Sequence, residues 1–153
     1  MSSNITPIYN AIISQLGTLF SSKTRIPNPY SLSDNMAQFL DNGYGLRVGP
    51  ASPAEPFEFC SLLVGHTFTV VLTKELQKLD TEFAQLDSVV LAFLEDIVSV
   101  QNLFYSYSEL GIEANIAKVD VGERSALEQV NTDKFSYVTM SQSFTFFAVE
   151  SIT

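Results

Sequence analysis

The sequence predicts an α+β domain: an antiparallel or mixed β-sheet packed on two α-helices, in the order α-β-β-α-β-β. Three stretches lead to this. Between Asp80 and Phe104, the residues Phe83, Leu86, Val90, Phe93, Leu94, Ile97, Val100 and Phe104 recur at steps of three and four with no Gly or Pro among them, which is the period of an amphipathic helix. Between Thr67 and Thr73, Phe68, Val70 and Leu72 alternate with Thr67, Thr69, Val71 and Thr73, which is the period of a strand. From Phe135 to Ile152 a long β run puts Val138, Met140, Gln142, Phe144, Phe146 and Ala148 on one side and Tyr137, Thr139, Ser141, Ser143, Thr145, Phe147 and Val149 on the other. A one-sided helix flanked by strand runs needs a sheet to lie on, and short turns between strands favour antiparallel pairing.

Taken in order, Thr6 and Pro7 open a first helix, Thr as N-cap and Pro in the first turn, followed by Ile8, Ala11, Ile12, Leu16 and Leu19 at helical spacing. Two prolines in Ile26-Pro27-Asn28-Pro29-Tyr30 force extended backbone, and residues 24–56 read as a Pro-rich segment holding one short helical turn near Met36, Phe39 and Leu40. Asn42-Gly43 signals a turn into a short strand with Tyr44, Leu46 and Val48 on one face. Gly49 to Pro56 reads as loop, Phe57 to Val64 as strand, and Gly65 as a break or bulge before Thr67. The central helix takes Asp80 as its N-cap. Gly111 ends the lead-out from that helix, after which Ile112, Ala114 and Ile116 alternate. Val119 and Val121 fall on the opposite parity, which calls for a bulge near Lys118. Ser125 to Val130 reads as a helical turn.

The 153 residues fit one domain, and 46% hydrophobic content suffices for a core. Eight basic and 17 acidic residues give a net charge of -9, which argues against a nucleic-acid clamp and against docking on an anionic membrane. There is no basic start followed by an apolar run, and no uninterrupted apolar run of spanning length, so no leader or membrane span is expected and the protein should be soluble and intracellular while it is made.

No motif carries chemistry. Cys60 is the one cysteine and His66 the one histidine, which excludes a disulfide within the chain and a cysteine-based zinc site. Cys60 sits in an apolar stretch and reads as core; a Cys60–His66 nucleophilic pair is the sharper alternative. Glycines 43, 45 and 49 lack the lysine and the strand-to-helix setting of a phosphate loop. The acids are scattered, Glu123, Glu128 and Asp133 falling in a charged loop with Arg124 and Lys134. Catalytic, metal and cofactor-binding residues are therefore none. The apolar residues on the predicted outer sheet face, Val71, Phe147 and Val149, together with Thr73, are candidates for a subunit interface unless long loops cover them.

The Thr6–Phe20 helix, the Thr67–Thr73 strand leading into the Asp80–Phe104 helix, and the aromatic strand Phe135–Val149 together resemble the tail terminator proteins of long-tailed, lambda-like phages, over roughly Thr6 to Ile152. The segment from Ile26 to Gly49 is longer than that pattern. The resemblance implies a virion structural protein of the neck, not an enzyme and without cofactors, that forms a homohexameric ring. The ring would cap the tail tube, end its polymerisation and provide the head-joining surface. It also implies the tail tube protein and a connector or stopper as partners, assembly in the host cytoplasm, and a channel through which DNA passes without specific binding. Glu123, Glu128 and Asp133 are the candidate channel-lining acids. Another head-tail connector, stopper or head completion protein is the alternative within that class. A small ligand-binding or enzymatic α+β domain, or a cellular adaptor, is the alternative outside it.

Overall fold

Alternation in the last strand organises the molecule. In the computed structural model, which describes residues 5–52, 55–56, 60–76, 83–106, 116–131 and 136–151, β7 runs from Ser136 to Ser151. Val138, Met140, Gln142, Phe144, Phe146 and Ala148 are all buried on one of its faces, as their parity predicts. β7 lies antiparallel between β4 (Ser61–Leu76) and β5 (Ile116–Arg124), and β4 in turn pairs antiparallel with β2 (Gly43–Ala51). Two short strands extend these edges: β3 (Glu55–Pro56) on β4 and β6 (Glu128–Asn131) on β7. β1 (Thr24–Arg25) adds a parallel pair to β2, so the seven-stranded sheet is mixed and the fold is α+β.

Both long helices cover the same face. α1 (Ile5–Leu19) buries Ile8, Ile12 and Leu16, and α3 (Phe83–Tyr105) buries Phe93, Ile97, Val100 and Phe104. These meet Phe68, Val70 and Leu72 of β4 and Phe144 and Phe146 of β7 in one core. The Phe104 ring packs edge-on against Phe144 at 4.6 Å and against Phe146 at 5.3 Å, geometry that adds to the gain from burial. Lys23, just beyond α1, reaches Asp96 of α3 at 3.1 Å.

The opposite sheet face is half covered. Residues 26–40 form a strap across it, containing a single 3-10 turn (Leu32–Asp34) and the one-turn helix α2 (Ala37–Leu40). Ile26 and Leu40 of the strap and Tyr137 of β7 make a second, smaller core there. Asn35 fastens the strap: its amide donates to the carbonyls of Asn28, Ser31 and Leu32, and its Oδ1 accepts from the Asn28 N–H at 2.9 Å. Two devices tie the strap to β2. The Tyr30 hydroxyl accepts from the Val48 N–H at 2.9 Å, and Arg47 Nε donates to the Pro29 carbonyl.

Several expectations need correction. The Phe57–Val64 and Thr67–Thr73 stretches are not two strands parted at Gly65: from Ser61 on they form one strand, with Gly65 paired to Phe147. Gly65 serves close approach, since an added Cβ would stand 2.8 Å from Ser52 Oγ and 3.0 Å from the Phe147 ring. Gly49 to Pro56 is not all loop, because β2 continues to Ala51 and β3 holds Glu55 and Pro56. Ser125 to Val130 is not a helical turn, because β6 pairs with β7 from Glu128 on. α1 starts at Ile5, so Thr6 is inside the helix and not its cap, while Pro7 remains in the first turn where it is tolerated. Asp80 and residues 107–115 lie outside the described residues. The bulge near Lys118 is present: Ile116 faces Ala148 while Lys118 already faces Phe147.

Candidate functional site

Val71 and Thr73 stand on the sheet face opposite the helices, as their parity predicts, but they are 1% and 0% exposed. Register explains this. Gly43 faces Thr73 and Gly45 faces Val71 across the β2–β4 pair, and neither glycine carries a side chain to hold the strap away. Pro29 and Ile26 drop into that space: a Cβ added at Gly45 would stand 2.8 Å from Pro29 Cβ, and one at Gly43 2.9 Å from Ile26 Cγ1. Thr73 is therefore covered by the protein's own chain, and Val71 is covered on its β2 side and reaches only the floor of a cleft, so neither offers area to a second subunit. Phe147 and Val149, beyond the strap, are half-buried, and Lys118 Nζ sits 4.6 Å from the centre of the Phe147 ring.

Glu123 is exposed on β5 and Glu128 on β6, whereas Asp133 lies outside the described residues. Glu128 faces Thr139 across the β6–β7 ladder and lies diagonal to Tyr137: burial first, and then the Glu128 charge, push the Tyr137 hydroxyl above its ordinary pKa. Among the described residues no cluster of three or more His, Cys, Asp or Glu could hold a metal ion.

Cys60 is exposed, not core, and takes a left-handed φ of 63° in the turn before β4. His66 is 4% exposed on the helix face, and its Nε2 lies 2.8 Å from Oε1 of Glu150, itself 4% exposed. The Cys60–His66 pairing is thus replaced by a buried His66–Glu150 contact linking β4 and β7. Such a contact is costly to break on one side only. Glu150 escaped the sequence reading, although it continues the parity of Phe146 and Ala148.

Two surfaces stand out instead. The first is on α3, whose segment Asp87–Tyr105 has the length and mean hydropathy, 1.3, of a membrane span although three acids interrupt it. Its hydropathy exceeds what the core uses. Leu91, Val98 and Tyr105 are 61%, 52% and 56% exposed, and they fall seven residues apart, so they lie along one line of the helix. The sequence held this signal as a second apolar line, off the face that predicts the core.

The second surface is a half-open cleft of about 360 Å3 on the strap side of the sheet. Val71, Thr139 and Ser141 form its floor, Arg47 stands toward β2, and Ser125 and Glu128 stand toward β5 and β6. Among the described residues the Arg47 guanidinium makes a single hydrogen bond, to the Pro29 carbonyl, and neither Arg47 nor Glu128 has an ion-pair partner. No protein-family model matches the chain, and no curated protein matches it in sequence.

Proposed function

We propose that the chain is a structural subunit of a phage neck, a ring-forming protein that caps the tail tube, ends its polymerisation and presents the surface to which the head joins. The order of the longer elements, α1-β2-β4-α3-β5-β7, with both long helices on one sheet face, supports this reading. One observation carries it: the line of Leu91, Val98 and Tyr105, apolar, exposed and regularly spaced on a helix whose other side is already buried. Apolar surface in such a pattern is contact surface. A head-to-tail contact of this kind closes into a ring when the rotation between subunits fits.

The sheet edge is a poorer place for that contact. β5 carries Lys118, Asp120, Glu123 and Arg124 and has two register shifts, features that discourage strand addition. Contacts through α3, with Phe147 and Val149 on the other sheet face, leave this charged edge free. Glu123 is the acid we assign to the channel, where like charge keeps DNA from sticking. Tail tube and connector proteins are the partners of this reading, and the virion is its location.

The test mixes the purified protein with tail tube subunits of the same phage and follows the products by negative-stain electron microscopy. Rings seated on one tube end, with tube growth arrested, are expected. Tubes that elongate uncapped would overturn the terminator role, and attachment to the connector without effect on tubes would assign the chain to the stopper position instead.

A further inference from the structure

We infer that the cleft over the strap side of the sheet is a docking site for a short extended peptide of a partner protein, with an acidic residue at one end and a basic residue at the other. This stands apart from the neck reading, since it uses neither α3 nor the ring.

The charges come first. Among the described residues none of the three arginines, Arg25, Arg47 and Arg124, has an ion-pair partner, and Arg47 is the one that is half-buried and lines the cleft. Its Nε is held by the Pro29 carbonyl, and among the described residues its remaining N–H groups meet no acceptor. A guanidinium fixed in this way matches a carboxylate in two parallel hydrogen bonds. Glu128 carries the opposite charge on the far side, also without an ion-pair partner among the described residues. A doubly charged phosphate would gain at Arg47 and lose at Glu128. A ligand with one charge of each sign gains at both.

Spacing decides the size. Arg47 belongs to β2 and Glu128 to β6, and β4 and β7 lie between them. Three strand steps of about 4.8 Å make roughly 14 Å, before the side chains reach inward. A free amino acid, with its charges a few ångströms apart, cannot span that. An extended peptide advancing about 3.3 Å per residue covers it in roughly four residues.

The floor fits the same ligand. Thr139 and Ser141 place hydroxyls there that make no hydrogen bond among the described residues, and Val71 lies between them and Arg47. Small-molecule pockets are mostly enclosed and apolar. This cleft is half open and polar, suited to backbone amides and carbonyls.

The test is a titration of the whole protein followed by two-dimensional amide NMR. Three probes are compared: Ac-Lys-Thr-Val-Asp-NH2, the reversed Ac-Asp-Thr-Val-Lys-NH2, and the neutral Ac-Gln-Thr-Val-Asn-NH2. At least one charged peptide should shift the amides of Arg47, Val71, Thr139 and Ser141 and bind at least tenfold more tightly than the neutral one, a difference of about 1.4 kcal/mol. Arg47→Gln and Glu128→Gln should each remove most of that preference. Glu128 is exposed, so its variant reports on binding even if Arg47→Gln loosens the strap. Equal binding of all three peptides, shifts confined to other surfaces, or free glutamate binding as tightly as the peptides would each overturn the proposal, the last by making the cleft a small-anion site.

Discussion

At Gly43 an added Cβ would stand 2.3 Å from the Phe39 carbonyl oxygen and 2.6 Å from Thr73 Oγ1. At Gly17, inside α1, the nearest atom is the Tyr44 hydroxyl at 3.6 Å. The same substitution therefore has opposite signs at the two places. Gly43→Ala has to push backbone away and should cost about 1–3 kcal/mol, as overpacking does. Gly17→Ala makes only an ordinary van der Waals contact with that hydroxyl and should stabilise by about 0.5–1 kcal/mol through helix propensity. Urea melts of the two variants check the pair, and equal shifts would refute the role given to Gly43. The sequence announced the turn at Asn42-Gly43, and Asn42 does take a positive φ of 65°. It did not announce the close approach, because that depends on a strap reaching Gly43 from elsewhere in the chain. Cys60 failed for a related reason. Its apolar neighbours suggested a buried strand, but strand β4 starts one residue later and leaves the thiol outside.

Among the elements, α3 was the most legible, because step-of-three-and-four spacing over more than twenty positions leaves little choice of period. Its described buried face, Phe93, Ile97, Val100 and Phe104, is a subset of the residues the periodicity named. Adjacent positions make the two-sidedness measurable. Ile97 is 2% exposed and Val98 is 52% exposed. Ile97→Ala should cost about 2–5 kcal/mol, whereas Val98→Ala, away from the core, should stay within about 0.5 kcal/mol. Thermal or urea unfolding of both variants settles whether the helix is docked in this rotation. β4 and β6 were less legible. Gly65 punctuates the sequence, yet β7 supplies partners on both sides of it and the strand passes through. Ser125 to Val130 has no strong local preference, and the free edge of β7 decides its state. Across β4 and β7 half-buried threonines and serines pair as hydroxyls, Thr67 with Thr145 at 3.1 Å and Thr69 with Ser143 at 2.9 Å. Parity placed these residues on one face without saying that they would meet.

For the whole molecule, the helix face and the strap face present different chemistry. The exposed line on α3 is apolar, while the cleft on the other side of the sheet is polar and carries both signs of charge. The sequence predicted self-association and placed it on the strap face, at Val71, Thr73, Phe147 and Val149; the first two are buried instead, because a strap folding back over two glycines is not a periodic signal. Association through α3 has to overcome a net charge of -9 on every copy. Salt therefore acts in a direction opposite to that for an ion-paired interface. Raising the ionic strength shrinks the screening length from about 10 Å at 0.1 M to about 3 Å at 1 M, which weakens the repulsion and leaves apolar contact intact. Sedimentation velocity should find assemblies heavier than the 16.9 kDa chain that grow with protein concentration and with salt. Leu91→Glu combined with Val98→Glu should return the chain to a monomer at every salt concentration without loss of its circular dichroism signal, since neither side chain is in the core. Wild type and double variant sedimenting alike would remove α3 as the subunit contact, and assemblies that dissolve as salt rises would place the contact among the charged residues of β5 instead.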